Sequence, residues 1–338
     1  MNALGSAPMP STPSLALLEV EGLRTEFPSA EGIARVLDGV TFTLARADTL
    51  GLVGESGSGK TMTALSILGL VPPPGKVTSG AVRFEGTELL KLGPEALRRV
   101  RGRRIALIFQ EPNGTFDPVM QVGAQVAELL REVGDVETRA ADREAVDLLR
   151  KVHLPDPSRV ARLYPHQLSG GMGQRVAVAM ALAGRPKLLI ADEAASGLDL
   201  TIQAQIRELL SEVQSERRMA MLWISHDLGS VAQVASRVAV MYAGRIVETG
   251  PTRRVFGAPH HPYTRALLRA RPTLDRRRRS LEALAGAAPL PTRLPAHCPF
   301  YDRCPAREER CRQEDPIERS VGPAHKVRCL VDPSSGAS

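Results

Sequence analysis

The chain has 338 residues, of which 43 % are hydrophobic, 24 % charged and 4 % aromatic. This composition is typical of a globular protein and excludes a chain that is disordered throughout. No apolar run reaches the roughly 18 residues that a membrane-spanning helix needs. The first 15 residues are rich in Ala, Pro and Ser and contain no Lys or Arg, so they lack the basic start of a secretory signal. We therefore expect a soluble, cytosolic protein.

The net charge of +7 permits contact with nucleic acid or with an anionic membrane surface. The densest basic cluster, residues 276–279, lies in a Pro-flanked stretch that is typical of a solvated linker. No aromatic residues alternate with the basic ones as they do on single-strand or RNA-binding surfaces. We therefore expect no nucleic-acid partner.

Short apolar runs alternate with amphipathic stretches along the chain. The expected strands are 17–40 with a turn near 28–32, 49–54, 104–110, 187–192 and 220–225; the expected helices are 60–70, most of 118–152, and 201–217. In the last helix, the apolar residues recur on one face: Ile202, Ile206, Leu209, Leu210 and Val213. Buried strands alternating with helices predict an α/β fold with a mostly parallel sheet. Chemistry in such sheets gathers at the carboxyl ends of the strands.

A glycine-rich loop follows the strand at 49–54 and precedes the helix that begins at Lys60. It matches the pattern G-x-x-x-x-G-K-[ST] with Gly54, Glu55, Ser56, Gly57, Ser58, Gly59, Lys60 and Thr61. Glycines let backbone N–H groups surround a phosphate chain, Lys60 supplies a positive charge, and the Thr61 hydroxyl suits Mg²⁺. An ordinary glycine-rich turn is the alternative, but the position between strand and helix favours binding of a nucleoside triphosphate.

Two adjacent acids, Asp192 and Glu193, end the strand at 187–192. Adjacent acids in a loop are usually only a solvated pair. Beside a phosphate-binding loop, the first can hold the Mg²⁺ shell and the second can orient a water toward the γ-phosphate. We therefore predict that Asp192 is a metal ligand and that Glu193 is the general base.

The segment from Leu168 to Arg175 contains Ser169, Gly170, Gly171 and Gln174. A Ser-Gly-Gly before a helix is by itself a generic helix cap or a second anion site. At this distance between the two nucleotide motifs, it resembles the signature of ATP-binding cassette (ABC) proteins. The resemblance implies that the active site forms between two cassettes, so that the signature of one contacts the nucleotide held by the other.

Further landmarks match the same family in order. Phe27 matches the aromatic that stacks on adenine, although a Phe at a strand edge is commonly a core residue. Gln110 matches the glutamine that links the metal to the membrane partner. Ser196 and Asp199 resemble the D-loop, and His226 resembles the switch histidine rather than a structural histidine.

The resemblance covers residues 17–270, after a flexible lead-in over 1–16. It implies a RecA-like core, an antiparallel β subdomain and a helical subdomain over about 111–167. Residues 271–338 form a C-terminal extension that contains Cys298, Cys304, Cys311 and Cys329.

A narrower resemblance covers nearly the whole chain. The signature with Met172, the run from His260 to Leu268 and the four-cysteine tail are similar to the ATPase subunits of dipeptide/oligopeptide importers, which have a nickel-importing branch. The family implies two membrane-spanning permease subunits, a second, paralogous ATPase, an extracytoplasmic solute-binding protein, and a peripheral location at the cytoplasmic face of the bacterial inner membrane. Nickel and other small solutes remain open as cargo.

The sequence departs from that family at four residues. Gly173 stands where Arg is usual, Ala194 and Ala195 stand for Pro-Thr, and Ala47 stands for a Gly. None of these changes removes a phosphate, metal or base group.

Two other functions are compatible with a phosphate-binding loop. A non-transport ABC protein usually has a long coiled-coil insertion or two cassettes in one chain, and this sequence has neither. A P-loop kinase or GTPase would lack the Ser169 motif and the glutamate after Asp192 in this order. A transport ATPase is therefore the leading hypothesis.

The four cysteines have the spacing C-x5-C-x6-C-x17-C, which is looser than the paired C-x2-C of common zinc sites. Inert buried thiols and disulfides are the alternatives to a metal site, and a reducing cytosol disfavours disulfides. A four-thiolate metal site would let a short, core-poor segment fold around an ion. Four thiolates suit Zn²⁺ or a [4Fe–4S] cluster, and the importer resemblance favours the cluster.

Overall fold

The computed structural model describes residues 16–110, 112–134, 136–270 and 284–331. The predictions for the lead-in over 1–15, for the basic linker at 276–279 and for the end of the extension lie outside the described residues. The strands are β1 Ala16–Ser29, β2 Gly32–Ala45, β3 Thr49–Val53, β4 Lys76–Phe84, β5 Thr87–Glu88, β6 Ile105–Ile108, β7 Leu188–Asp192, β8 Ala220–Ser225, β9 Arg237–Tyr242, β10 Arg245–Pro251, β11 Glu318–Gly322 and β12 His325–Arg328.

The helices connect these strands and lie against both faces of the larger sheet. They are α1 Lys60–Ile67, α2 Pro94–Val100, α3 Val122–Val133, α4 Thr138–Lys151, α5 Pro157–Val160, α6 Gly170–Leu182, α7 Leu200–Arg217, α8 Leu228–Val234, α9 Thr252–Gly257, α10 Pro262–Arg269 and α11 Arg310–Gln313. None of the helices in the described ranges is both long enough and apolar enough to cross a bilayer.

The larger sheet has eight strands in the order β11-β12-β10-β9-β3-β8-β7-β6. The strands from β9 to β6 are parallel, and β10, β12 and β11 continue the sheet in antiparallel pairing. A separate antiparallel sheet has the order β2-β1-β4-β5. The prediction of a mostly parallel α/β core with an antiparallel β subdomain is therefore confirmed.

Alternate residues of the parallel strands enter two different cores, because successive side chains of a strand point to opposite faces. Leu52 and Leu222 pack with the antiparallel sheet, where they meet residues such as Phe84. Val53 and Trp223 face the other way, into a core that the helices cover. Both faces of the sheet are buried, which explains why its strands are continuous apolar runs rather than alternating ones.

The predicted elements lie close to the observed ones, with one clear difference. The helix expected over 60–70 ends at Ile67, because Gly69 takes a left-handed backbone (φ 61°) that terminates a helix. The apolar face expected for 201–217 is buried at Ile206, Leu209, Leu210 and Val213.

The departure at Ala47 has a structural consequence. Ala47 takes a left-handed backbone conformation with φ 57° in the turn between β2 and β3. A side chain is strained in that conformation and glycine is not. The turn before the phosphate-binding strand therefore carries strain that the usual glycine would remove.

The C-terminal extension is part of the larger sheet. Val327 and Lys326 of β12 pair with Glu248 and Thr249 of β10. Beneath this pairing, the buried carboxylate of Glu248 accepts a 2.8 Å hydrogen bond from Nε2 of His325. The four-cysteine segment therefore lies against the cassette rather than apart from it.

Candidate functional site

Four neighbouring parallel strands end at the same edge of the sheet. In the order β3-β8-β7-β6, their carboxyl ends lead into Gly54, His226, Glu193 and Gln110. Sequence motifs that are up to 172 residues apart, from Gly54 to His226, are thereby brought to one edge. This is the position at which open α/β sheets bind ligands.

The glycines of the phosphate-binding loop are required by its geometry. Gly54, Gly57 and Gly59 all have positive φ, at 158°, 78° and 106°. A Cβ on Gly54 would lie 2.2 Å from the carbonyl oxygen of Met241, and a Cβ on Gly59 would lie 2.8 Å from the Leu37 side chain. Larger residues would therefore force the loop open.

Lys60 lies buried at the start of α1 and points back into the loop. Its Nζ donates hydrogen bonds of 2.9 Å to the carbonyl oxygens of Gly54 and Glu55. Burial lowers the pKa of Lys60, while the negative charges of Glu193, Asp192 and Glu55 raise it in opposition. The hydroxyl of Ser58 is also buried and has no hydrogen-bond partner among the described residues. The loop thus presents a confined ammonium group and an unused hydroxyl.

Asp192 is the buried acid at the end of β7. Burial raises its pKa, and a hydrogen bond with Thr61 and the charge of Lys60 oppose that change, whereas the charge of Glu193 adds to it. Its Oδ1 atom is buried and has no partner among the described residues. A buried carboxylate oxygen with no donor, next to a threonine hydroxyl, fits the all-oxygen coordination that Mg²⁺ prefers.

Glu193 lies between two other predicted site residues. Its Oε2 accepts a 2.9 Å hydrogen bond from Nε2 of Gln110, and its Oε1 lies 3.0 Å from Nδ1 of His226. The residue has a left-handed backbone (φ 47°), and its N–H donates to the carbonyl of Ile224 at 2.9 Å. Backbone strain of this kind clusters at active sites. The structure therefore brings the three predicted catalytic residues together, with the Glu193 carboxylate in a defined orientation.

The signature segment begins α6 and packs against the D-loop of its own chain. The hydroxyl of Ser169 caps the helix by accepting from the N–H of Met172 at 3.3 Å. A Cβ on Gly170 would lie 3.1 Å from the Leu198 side chain, and one on Gly171 would lie 3.0 Å from Ile202. Asp199 caps α7 in the same way, by accepting from the N–H of Ile202 at 3.0 Å.

Two further predicted residues lie beside this arrangement. Gln174 is buried in α6, and its Nε2 has no partner in the described part of the chain. The backbone N–H of Ser196 donates to the carbonyl of Glu193 at 2.9 Å, which joins the predicted D-loop to Glu193. The roles of these residues, like those of the other predicted site residues, stay predictions.

Phe27 lies near the end of β1 and is half-buried. Its ring packs on Gly75, where a Cβ would lie 2.3 Å from the nearest ring carbon. This contact explains why a small residue is needed at Gly75. It leaves the adenine-stacking role of Phe27 as a prediction.

Two residues that contact the phosphate-binding loop were missed by the sequence reasoning. The backbone N–H of Glu55 donates to the hydroxyl of Tyr263 at 2.8 Å. The carboxylate of Glu55 is held by Arg303 of the extension, with N–O distances of 2.8 and 2.9 Å. Tyr263 falls in the run from His260 to Leu268 that carries the importer resemblance, but nothing in the sequence distinguishes Arg303 from the other arginines.

The four cysteines converge on one small cavity. Cys298, Cys304, Cys311 and Cys329 all line it, and all four are free thiols. Burial raises the pKa of Cys298 to about 12 and of Cys304 to about 11, and it raises the pKa of Cys329 as well. Within the described ranges, no three His, Cys, Asp or Glu side chains are arranged to hold a metal ion. Four thiols are chemically able to bind a metal, but the described structure does not arrange them as ligands, so the predicted cluster or zinc ion stays a prediction.

Two family models match the chain. The ABC transporter model matches residues 37–196, and the model of the oligopeptide/dipeptide transporter C-terminal region matches residues 247–311. Among curated proteins, the chain is 44 % identical to the dipeptide transport ATP-binding protein DppD of Haemophilus influenzae, over 93 % of this chain and 95 % of that protein.

The chain belongs to the oligopeptide/dipeptide family of ABC transporter ATP-binding proteins.

Other relatives agree with this assignment. The chain is 42 % identical to DppD of Escherichia coli K12, over 93 % of this chain and 96 % of that protein. It is 46 % identical to a putative peptide import ATP-binding protein of Brucella abortus (strain 2308), over 90 % of this chain and 92 % of that protein. The family places the chain among ATPases that couple ATP hydrolysis to transport and work with membrane permease subunits.

Solved structures show the same cassette. The ATP-binding cassette MJ0796, solved as a dimer in a post-hydrolysis state with ADP and Pi, matches with a TM-score of 0.63 and 25 % identity, over 70 % of this chain and 99 % of that one. CbiO1 of Clostridium perfringens, part of the ABC transporter complex cbiONQ, matches with a TM-score of 0.61 and 26 % identity, over 72 % and 91 %. The fold class is therefore confirmed.

Proposed function

We propose that this ATPase powers an importer of dipeptides or oligopeptides. The observation that carries the proposal is the match of residues 247–311 to the C-terminal region of oligopeptide/dipeptide transporters, outside the part that all ABC cassettes share. Relatives named for dipeptide and peptide import support it over more than nine-tenths of the chain.

The geometry of the site supports the following roles for its residues. The loop over 54–61 and Lys60 bind the triphosphate, and Phe27 stacks on adenine. Thr61, Asp192 and Gln110 would hold Mg²⁺, which would supply positive charge against the negative charge of the phosphates. Glu193 takes the proton of the attacking water, and its hydrogen bonds to Gln110 and His226 fix the orientation of its carboxylate.

The site is completed by a second cassette, which we propose is a paralogue of this chain. Ser169, Gly170, Gly171 and Gln174 then contact the nucleotide of the partner, and the D-loop with Ser196 and Asp199 lies between the two sites. The dimer of the related cassette MJ0796 supports this arrangement.

We further propose the remaining partners and the location. Two membrane-spanning permease subunits receive the motion of the cassettes, and an extracytoplasmic protein delivers the solute. The ATPase lies at the cytoplasmic face of the bacterial inner membrane as a peripheral subunit. No nucleic-acid partner is proposed.

We assign the four thiols to a metal site in the extension, as ligands of a [4Fe–4S] cluster or, alternatively, of Zn²⁺. The support is their convergence on one cavity and the match of the surrounding segment to the importer family. Anaerobic purification, metal analysis and the visible absorption spectrum distinguish the outcomes. One zinc per colourless chain would exclude the cluster, and a folded, metal-free extension would exclude both.

The transport proposal is tested with the complex of this chain, its permease subunits and the second ATPase in proteoliposomes. Binding protein loaded with a dipeptide or oligopeptide is expected to stimulate ATP hydrolysis and peptide uptake. The matched control is the complex with Glu193→Gln, in which hydrolysis is impaired and peptide uptake is expected to be lost with it. Stimulation by a nickel chelate and not by peptides would contradict the assignment of the solute.

A further inference from the structure

The phosphate-binding loop contains an acid at an unfavourable place. Glu55 is the second residue of the loop, and its negative charge is close enough to the Lys60 ammonium to act on the pKa of Lys60. A like charge there weakens triphosphate binding. Both oxygens of the Glu55 carboxylate are instead paired with the guanidinium of Arg303, at 2.8 and 2.9 Å. This two-point geometry is the strongest form of an Arg–carboxylate contact.

Arg303 is a fixed side chain and not a loose surface charge. Its side chain is only 7 % exposed. Its Nε donates to the carbonyl of Ala285 at 3.1 Å, and its guanidinium lies over the rings of Tyr242 and Phe300 at 5.7 and 5.9 Å. Contacts other than the one with Glu55 therefore also fix the position of the guanidinium.

The same acid is held at its backbone by the C-terminal part of the cassette. The N–H of Glu55 donates to the Tyr263 hydroxyl at 2.8 Å, and the Tyr263 ring packs on Tyr242 and Phe300, with centroid distances of 4.6 and 5.4 Å. Phe300 and Cys304, on either side of Arg303 in the sequence, both line the four-cysteine cavity. The cysteine segment therefore contacts the phosphate-binding loop through one packed cluster of aromatic rings, formed by Tyr242, Tyr263 and Phe300.

We propose that Arg303 is a positioning residue for ATP binding: through Glu55, the C-terminal extension orients the phosphate-binding loop and cancels its negative charge. The proposal rests on the proposed function only in that the loop binds ATP. It assigns the extension a direct effect on nucleotide affinity.

The test is the affinity of the full-length chain for ATP with Mg²⁺, measured by isothermal titration calorimetry. Arg303→Ala exposes the loop to an unpaired carboxylate, and we expect the Kd to rise about tenfold, within the 5–150-fold range of typical coupling between sites. The double variant Arg303→Ala with Glu55→Gln restores the local net charge. We expect its Kd to return to within about threefold of the wild-type value, because the repulsive charge is gone.

Salt and a matched control separate the charge effect from folding. The defect of Arg303→Ala is expected to shrink as ionic strength rises, because the repulsion is screened. Arg307→Ala is the control: this arginine lies in the same segment over the ring of Tyr301, at 5.7 Å, and donates to the Asp302 carbonyl. We expect it to bind ATP like the wild type. If Arg303→Ala melts below the assay temperature, Arg303→Gln is compared alone and with Glu55→Gln.

The outcomes are distinct. Wild-type affinity in Arg303→Ala would overturn the inference, and so would a double variant that binds as weakly as Arg303→Ala, because the arginine would then be merely structural. A wild-type chain that binds no ATP would instead contradict the proposed function.

Discussion

Replacing His325 with alanine is expected to destabilise the contact between the extension and the cassette strongly. The side chains of His325 and Glu248 are 4 % and 0 % exposed, and the Nε2–Oε1 distance is 2.8 Å. Glu248 also accepts from the backbone N–H groups of His260 and His261, at 2.7 and 3.0 Å. Removing one partner of a buried, hydrogen-bonded carboxylate costs about 3–5 kcal/mol. Since two donors remain on Glu248, we expect the lower end, about 3 kcal/mol.

The neighbouring residue provides a matched control. Lys326 pairs with Glu318 at 2.7 Å, but both side chains are well exposed, at 54 % and 37 %. Exposed pairs contribute about 0–1 kcal/mol, so Lys326→Ala should be nearly neutral.

The assay is the free energy of unfolding from denaturant titration, with thermal melts in parallel. For a chain of 338 residues, a loss of about 3 kcal/mol corresponds to a fall of roughly 4 °C in Tm. Equal losses in His325→Ala and Lys326→Ala would refute the reasoning, because burial would then make no difference to the pair.

Two further predictions concern stability. Burial raises the pKa of Glu85, but hydrogen bonds from Lys187 and two arginines outweigh this effect and lower the pKa from 4.5 to about 2. The folded state therefore favours the carboxylate. The stability that Glu85 contributes is present above pH 4.5 and is lost as the pH falls toward 2. Glu85→Gln should cost about 1–2 kcal/mol at pH 7, after allowance for exposed partners, and the difference from wild type should shrink below pH 4.5 in unfolding titrations; a constant difference would contradict this. Ala47→Gly should raise the free energy of unfolding by about 1 kcal/mol because it relieves the left-handed backbone, whereas Ala45→Gly in β2 should lower it by about 0.5–1 kcal/mol; the same sign in both variants would exclude relief of strain.

The sequence predicts the parts of the site that are local. The phosphate-binding loop, the acids at the end of β7 and the histidine after β8 each lie within a few consecutive residues that follow an apolar strand. Because carboxyl ends of parallel strands meet at one edge, assigning the strands also places the motifs together. The role assigned to each residue follows from its type and from the family pattern.

The remaining contacts are not local, so the sequence does not indicate them. Arg303 and Glu55 are separated by 248 residues, and the chain has 44 Lys and Arg residues, so no local pattern pairs these two. The strands β11 and β12 are short and charged, and they lack a continuous apolar run. Their pairing with β10 depends on tertiary contacts such as His325 with Glu248, which no periodicity shows.

The most direct test of the central claim compares two variants in the assembled transport complex. Glu193→Gln removes the proposed base but keeps the shape of the side chain, so ATP binding should persist while the hydrolysis rate falls at least ~100-fold, the lower range for losing a general base. Lys60→Ala removes the charge that faces the phosphates and should weaken ATP binding itself. Normal turnover in the Glu193→Gln complex, together with normal nucleotide binding in the Lys60→Ala complex, would contradict the account.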